Sequence, residues 1–255
     1  MRKTWISEIR KNPVWNNEVQ IFFIIAISRN DTKKIAEICE ELSINSDILL
    51  LDVIDAYELH TVKMLAFMEY FLTKCSTQIN YQRSKGIPIL IKLTDDVIIF
   101  EHSFISALHW LINSNYSERF VAGLIAKAHY VNYSTGCTYL ISYKSVKEIY
   151  DFARCLTELS FVDDVLLAGT IPTILKIPKI NIPSHSFYDK MPNEVKNSPQ
   201  LLSQLSFLHN YQFNSKAQQQ IWENVNNFEI RKKRKNHAMQ YLPANISCYH
   251  YKIFD

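Results

Sequence analysis

Two pairs of adjacent aspartates stand inside otherwise apolar sequence. The first lies in Ile89-Leu-Ile-Lys92-Leu-Thr94-Asp95-Asp96-Val-Ile-Ile-Phe100. A buried charge is costly unless it is paired or bound to metal, so Asp95 and Asp96 should sit where a strand surfaces at its C-terminal end. In open α/β sheets that end is where ligands bind. Hard oxygen donors there suit Mg²⁺ or Mn²⁺, with the remaining positions filled by water and phosphate oxygens. The plainer reading is a polar turn between two strands. The second pair lies in Phe161-Val-Asp163-Asp164-Val165-Leu-Leu-Ala-Gly169. A carboxylate held near a bound sugar can act as a general base, and the same two residues could instead cap a helix beginning at Val165.

Composition narrows what these acids can serve. The chain has 255 residues, 47% hydrophobic and 21% charged, enough for a core. Glycine is scarce, with four residues against an expectation of roughly 7%. Neither G-x-G-x-x-G nor G-x-x-x-x-G-K-[ST] can be written, so a glycine-rich phosphate loop is excluded. A net charge of +3 does not argue for a polyanion partner. The basic run Arg231-Lys-Lys-Arg-Lys235 has no interleaved aromatics and reads as a solvated helix end, not a nucleic-acid site. The cysteines at 39, 75, 137, 155 and 248 form no C-x-x-C, which disfavours a zinc ribbon. Asn30, Asn115, Asn132 and Asn245 begin N-x-[ST] sequons. No signal sequence is visible, and the apolar run Val19 to Ile27 is far shorter than the ~20 residues of a spanning helix.

The elements that must position the acids follow from periodicity. Val19–Ser28 and Ile89–Lys92 read as strands buried on both faces, Asp47–Val53, Phe120–Ile125 and Tyr139–Ser142 as shorter strands. Helical spacing marks Asp31 to Leu42, Thr61 to Cys75, Ser103–Ile112 and Lys144–Leu159. Their alternation predicts an α/β sandwich with a mostly parallel sheet. Five prolines punctuate the chain from Pro172 to Pro199, with helices expected over Leu201–Tyr211 and Ala217–Phe228. No clean linker appears, so residues 1–170 and 171–255 are read as the core and the irregular C-terminal part of one domain.

Taken in order, these segments resemble the β-1,3-galactosyltransferase family, glycosyltransferase family 31. Arg2-Lys-Thr-Trp5 is similar to its R-x-T-W element, and Ser46-Asp47-Ile48-Leu49 with Asp52 and Asp55-Ala-Tyr57-Glu-Leu59-His-Thr61-Val-Lys63 to its D-I-[IL] … D-x-Y-x-N-L-T-x-K block. Cys75 falls near the cysteine expected after the ensuing helix. Lys92-Leu-Thr94-Asp95-Asp96-Val97 resembles K-x-D-D-D-V, Tyr133 to Ser142 resembles Y-x-x-G-x-x-Y-x-x-S, and Asp163-Asp164-Val165 stands where the family has E-D-V. The resemblance covers Met1–Gly169. It implies a GT-A fold and an inverting hexosyltransferase that carries a galactosyl or N-acetylhexosaminyl unit from a UDP-sugar to a glycan on a glycoprotein or glycolipid, in β-1,3 linkage. By the same resemblance Mn²⁺ would be held by Asp95 and Asp96 with a C-terminal histidine, His185 or His250. Lys92 would belong to the donor site and Asp164 would be the base. The family places such proteins on the lumenal face of the Golgi membrane, with the anchor, the stem and the first strand expected upstream of Arg2. Two departures stand out: Thr94 replaces the first carboxylate of the triplet, and only nine residues separate Gly123 from Tyr133. They leave a second expectation open, an inactive relative that binds glycan or a partner enzyme.

Overall fold

Alternation along the strands decides which side chains reach which layer. The computed structural model describes residues 2–13, 19–27, 31–79, 87–113, 118–128, 131–160, 162–182, 185–187, 193–209, 214–235 and 249–254. The main sheet holds β1 (Val19–Ile27), β2 (Ile48–Ile54), β3 (Ile89–Thr94), β5 (Val121–Ala128), β6 (Val131–Ser142), β7 (Lys179–Asn181) and β10 (Tyr249–Phe254), ordered β2-β1-β10-β3-β6-β5-β7. β2, β1, β10 and β3 run parallel, β6 is antiparallel to both β3 and β5, and β7 is parallel to β5. A second sheet of three strands joins β4 (Val97–Ile99), β8 (His185–Phe187) and β9 (Phe207–His209), with β9 in the middle. The mixed, mostly parallel α/β architecture agrees with the GT-A expectation.

Each face of the main sheet is covered by its own helices. Ile89, Ile91 and Leu93 of β3 pack with Trp5, Ile6 and Ile9 of α1 (Trp5–Lys11), Phe104 and Leu108 of α4 (Glu101–Ile112) and Ile221 and Val225 of α9 (Ser215–Lys235). Leu90 faces the other way, into Phe67 and Phe71 of α3 (His60–Ile79), Val146 and Ile149 of α5 (Tyr143–Ala153) and Leu167 and Ile171 of α6 (residues 163–174). Lys92, two residues from Leu90, points to this second face by the same alternation. α2 (Thr32–Ile44) begins as expected, its N-cap Asp31 accepting from the Lys34 backbone N–H at 2.9 Å.

The structure departs from the sequence reading at four elements. The helix expected over Lys144–Leu159 stops at Ala153. The helix expected over Leu201–Tyr211 divides into the single turn of α8 (Pro199–Leu202), which follows α7 (Asn193–Lys196), and strand β9. β9 pairs antiparallel with β4, and Phe207 meets Phe104 edge-on at 5.3 Å, so tertiary pairing overrides a helical apolar pattern. β6 is a twelve-residue strand where four residues were expected. Tyr249–Phe254, unassigned from sequence, forms an interior strand between β1 and β3. Among the described residues no helix is long and apolar enough to cross a membrane.

Candidate active site

β3 delivers the first acid pair to its C-terminal end. Thr94 closes the strand, Asp95 and Asp96 make the turn, and β4 leaves it. The Thr94 hydroxyl donates to Asp96 Oδ1 at 2.5 Å and lies 3.4 Å from the Cys137 carbonyl of β6. Gln218 of α9 donates from Nε2 to the Asp95 carbonyl at 3.0 Å, tying the turn to the C-terminal helix. His209, 2% exposed at the end of β9, brings Nε2 to 2.7 Å from Asp96 Oδ2. Its register opposite Val97 explains the meeting: β4 and β9 carry Asp96 and His209 to the same end of the small sheet. Burial alone would push the Asp96 carboxyl up. The hydrogen bonds from His209 and Thr94 outweigh it and hold the group below the usual carboxylate range.

The second acid pair opens α6. Tyr139 of β6 donates its buried hydroxyl to Asp163 Oδ2 at 3.0 Å, and Lys92 Nζ lies 3.9 Å from the same oxygen. Lys92 also donates to the Gly136 carbonyl and sits 5.4 Å from the Tyr139 ring centroid. Burial, and then Asp163, push the Tyr139 phenol well above its ordinary value, so it is held as a donor. Asp164 packs against Gly136, where an added Cβ would stand 2.9 Å from Oδ2. Its Oδ1 accepts from the Val165 backbone N–H at 2.8 Å. Burial first and the Asp163 charge second push the Asp164 carboxyl above the ordinary range, against the pull of Lys92.

Small residues and ion pairs set this geometry. A Cβ at Gly169 would lie 2.6 Å from Tyr133 Cβ, so glycine lets α6 settle onto β6. Thr61 donates to the Ser160 carbonyl at 2.5 Å, fixing the approach to Asp163. Buried Lys63 pairs with Asp55 at 2.7 Å and joins the end of β2 to α3. Arg2 binds Asp47 through two nitrogens, at 3.0 and 2.8 Å, and Arg10 adds a third contact at 2.5 Å. Four motif positions, Arg2, Asp47, Asp55 and Lys63, are thus occupied in holding the scaffold.

Both acid pairs border one stretch of β6: Thr94, bonded to Asp96, reaches the Cys137 carbonyl, and Asp164 rests on Gly136. Among the described residues the histidine at Asp96 is His209, which the sequence reading did not name, having placed it inside a helix. Its only signal was the short run Phe207-Leu208-His209, whose partners β4 and Asp96 lie more than a hundred residues away. In strand register His250 is level with Leu90 and His185 with Phe207, and the side chains of both lie outside the described residues. Among the described residues no three His, Cys, Asp or Glu side chains gather as a ready-made metal cage. Cys39 and Cys155 are exposed and Cys137 is buried, none of the three in a disulfide, while the side chains of Cys75 and Cys248 lie outside the described residues. Of the sequons, Asn30, Asn115 and Asn245 lie outside them too.

The mixed α/β fold, with Asp95 and Asp96 at the C-terminal end of β3, is of the GT-A-like class. The sequence model of the Galactosyltransferase family matches residues 1–131, more than half the chain, and the chain belongs to that family. It is 22% identical to beta-1,3-galactosyltransferase bre-2 of Caenorhabditis elegans over 76% of its own length. The chain spans 58% of the length of that relative.

Proposed function

We propose that the chain is an inverting hexosyltransferase acting at the Gly136–Cys137 stretch of β6. It moves a galactosyl or N-acetylhexosaminyl unit from a UDP-sugar to a glycan hydroxyl in β-1,3 linkage, the acceptor being borne on a glycoprotein or glycolipid at the lumenal face of the Golgi membrane. The observation that carries this reading is the pairing of two unlike carboxylates beside one strand: Asp96 held low by His209 and Thr94, Asp164 pushed high by burial. Carboxylates separated in this way suit separate tasks, a permanently ionised ligand and a base.

Asp164 takes the acceptor proton as the hydroxyl oxygen attacks the anomeric carbon. The new glycosidic bond forms on the face opposite the diphosphate, and the bond to the diphosphate breaks with inversion. The donor chemistry at Asp96 suits a divalent ion that takes the place of the Nε2–Oδ2 hydrogen bond, since a carboxylate oxygen and an imidazole nitrogen stand together at a strand end. Asp96 and His209 would hold Mn²⁺, with Asp95, water and diphosphate oxygens completing the set. The chemistry it would supply there is neutralisation of charge on the departing diphosphate. Lys92 is 3% exposed and engaged with Gly136 and Asp163, so we assign it to positioning: it holds β3 to β6 and fixes the helix start that presents Asp164. Radiolabel transfer from UDP-sugars to a glycan acceptor array tests the reading, with Asp164→Asn as the silent variant. No transfer by the native chain with Mn²⁺ present would overturn it.

A second reading is an inactive relative that binds glycan. It is favoured by Thr94, whose neutral hydroxyl spends its proton on Asp96 where the resemblance expects another carboxylate. Calorimetric titration with UDP separates the two, since Mn²⁺-dependent heat belongs to the transferase and its absence to the binder.

A further inference from the structure

The proposed transfer leaves Asp163 without a task, although it is the more buried acid of its pair. Asp163 is 8% exposed, while Asp164 beside it is only partly buried. A buried charge is costly unless partners receive it. A helix start favours an acid at either position, and needs neither a tyrosine nor a lysine to do so.

The partners are divided unevenly between the two acids. Asp163 Oδ2 accepts from the buried Tyr139 hydroxyl at 3.0 Å and has Lys92 Nζ at 3.9 Å. Asp164 takes backbone N–H groups instead, from Val165 at 2.8 Å and from Gly136. Lys92 ties the two arrangements together, since it donates to the carbonyl of the same Gly136. Neighbouring like charges oppose each other, and the acid with the weaker partners takes up the proton first. Burial and then the Asp163 charge push the Asp164 carboxyl above the ordinary range, while Lys92 and the two N–H bonds pull it back. The other titratable groups facing Asp164 are Tyr133 and Tyr139 of β6, both phenols raised by burial first and also by the charge of Asp164.

We propose that Asp163 is a positioning residue for the base: held by Tyr139 and Lys92, its carboxylate anchors the first turn of α6 and sets how readily Asp164 takes the acceptor proton. The inference rests on the reading of Asp164 as the base. It gives the buried acid a task that is exercised through its neighbour and not on the substrate.

The dependence of kcat on pH tests this at saturating donor and Mn²⁺, which keep Asp96 and His209 occupied so that the acid limb reports the base. Asp163→Asn keeps the shape and still accepts from Tyr139, and its acid limb moves down by at least about 0.5 in pH. Asp163→Glu keeps the charge, and its limb stays with that of the native chain. Circular dichroism melts check folding. Should Asp163→Asn not fold, Tyr139→Phe stands in for it: both carboxylates remain, Asp163 competes better for the proton, and the limb moves the same way. An unmoved limb in the folded variant overturns the inference, as does a limb that moves equally with asparagine and glutamate. Asp164→Asn separates this from failure of the reading beneath it. If that variant still transfers sugar, Asp164 is not the base; if it is silent while the Asp163→Asn limb is unmoved, only the role of Asp163 falls. A native chain without transfer overturns both.

Discussion

Asp164 is placed at a cost to the fold. Its folded pKa is raised above the unfolded value, so it contributes least stability where it is ionised: the favourable part is present below the ordinary carboxylate range and is lost as pH rises through the folded pKa. Asp164→Asn keeps the Oδ1 that accepts from Val165 and removes the buried charge. The variant should therefore lose transfer by about 10²–10⁴-fold while melting at the same or a higher temperature than the native chain at pH 8. That advantage should vanish toward pH 4. Melts at the two pH values decide the matter, since a variant less stable at pH 8 means that Asp164 is a structural acid. At this scale much was legible in the sequence. Asp95, Asp96, Asp163 and Asp164 declared themselves because carboxylates interrupt apolar runs only where something receives them. His209 did not, since a lone histidine after two apolar residues carries no local mark of its partner.

Ion pairs that join elements behave differently from those at the site. Asp47, just before β2, is gripped by Arg2 and Arg10 of the N-terminal segment, and these bonds outweigh burial to lower its carboxyl. A depressed pKa contributes stability above the unfolded value and loses it as pH falls through the folded one. Asp47→Asn should cost about 2 kcal/mol at pH 7, at the low end for a broken pair because both arginines are partly exposed. The deficit should shrink below pH ~4, read by denaturant titration at both values; a constant deficit would show that shape, not charge, holds α1 to β2. The strands β1 and β3 were visible as apolar runs because they are covered on both faces. β10 was not, since Tyr249-His-Tyr-Lys-Ile-Phe254 has no such run and owes its place to distant partners. Interior strands pair on both edges, so removing residues 249–254 leaves β1 and β3 each with an open ladder. The truncated chain should lack a cooperative unfolding transition, and one that melts as the native chain does would place those residues outside the fold.

Across the whole molecule, the candidate site gathers residues more than a hundred positions apart in sequence and from both faces of the sheet. Asp96 comes from the β3 turn, His209 from the small sheet, Gln218 from α9, and Asp164 from the helix on the far face. A ligand spanning these parts stabilises all of them together, by RT ln(1 + [L]/Kd), about 2.7 kcal/mol at a hundred times Kd. UDP with Mn²⁺ should therefore raise the melting temperature of the native chain, and a chelator should abolish the rise. The two halves of the site should answer differently: His209→Ala removes the shift by taking away the nitrogen donor, while Asp164→Asn retains it because the base meets the acceptor and not the diphosphate. Loss of the shift in both variants would mean that Asp164 belongs to the donor site. A shift kept by His209→Ala would leave Asp96 without the partner that makes it a metal ligand, and the division of labour between the two carboxylates would fall with it.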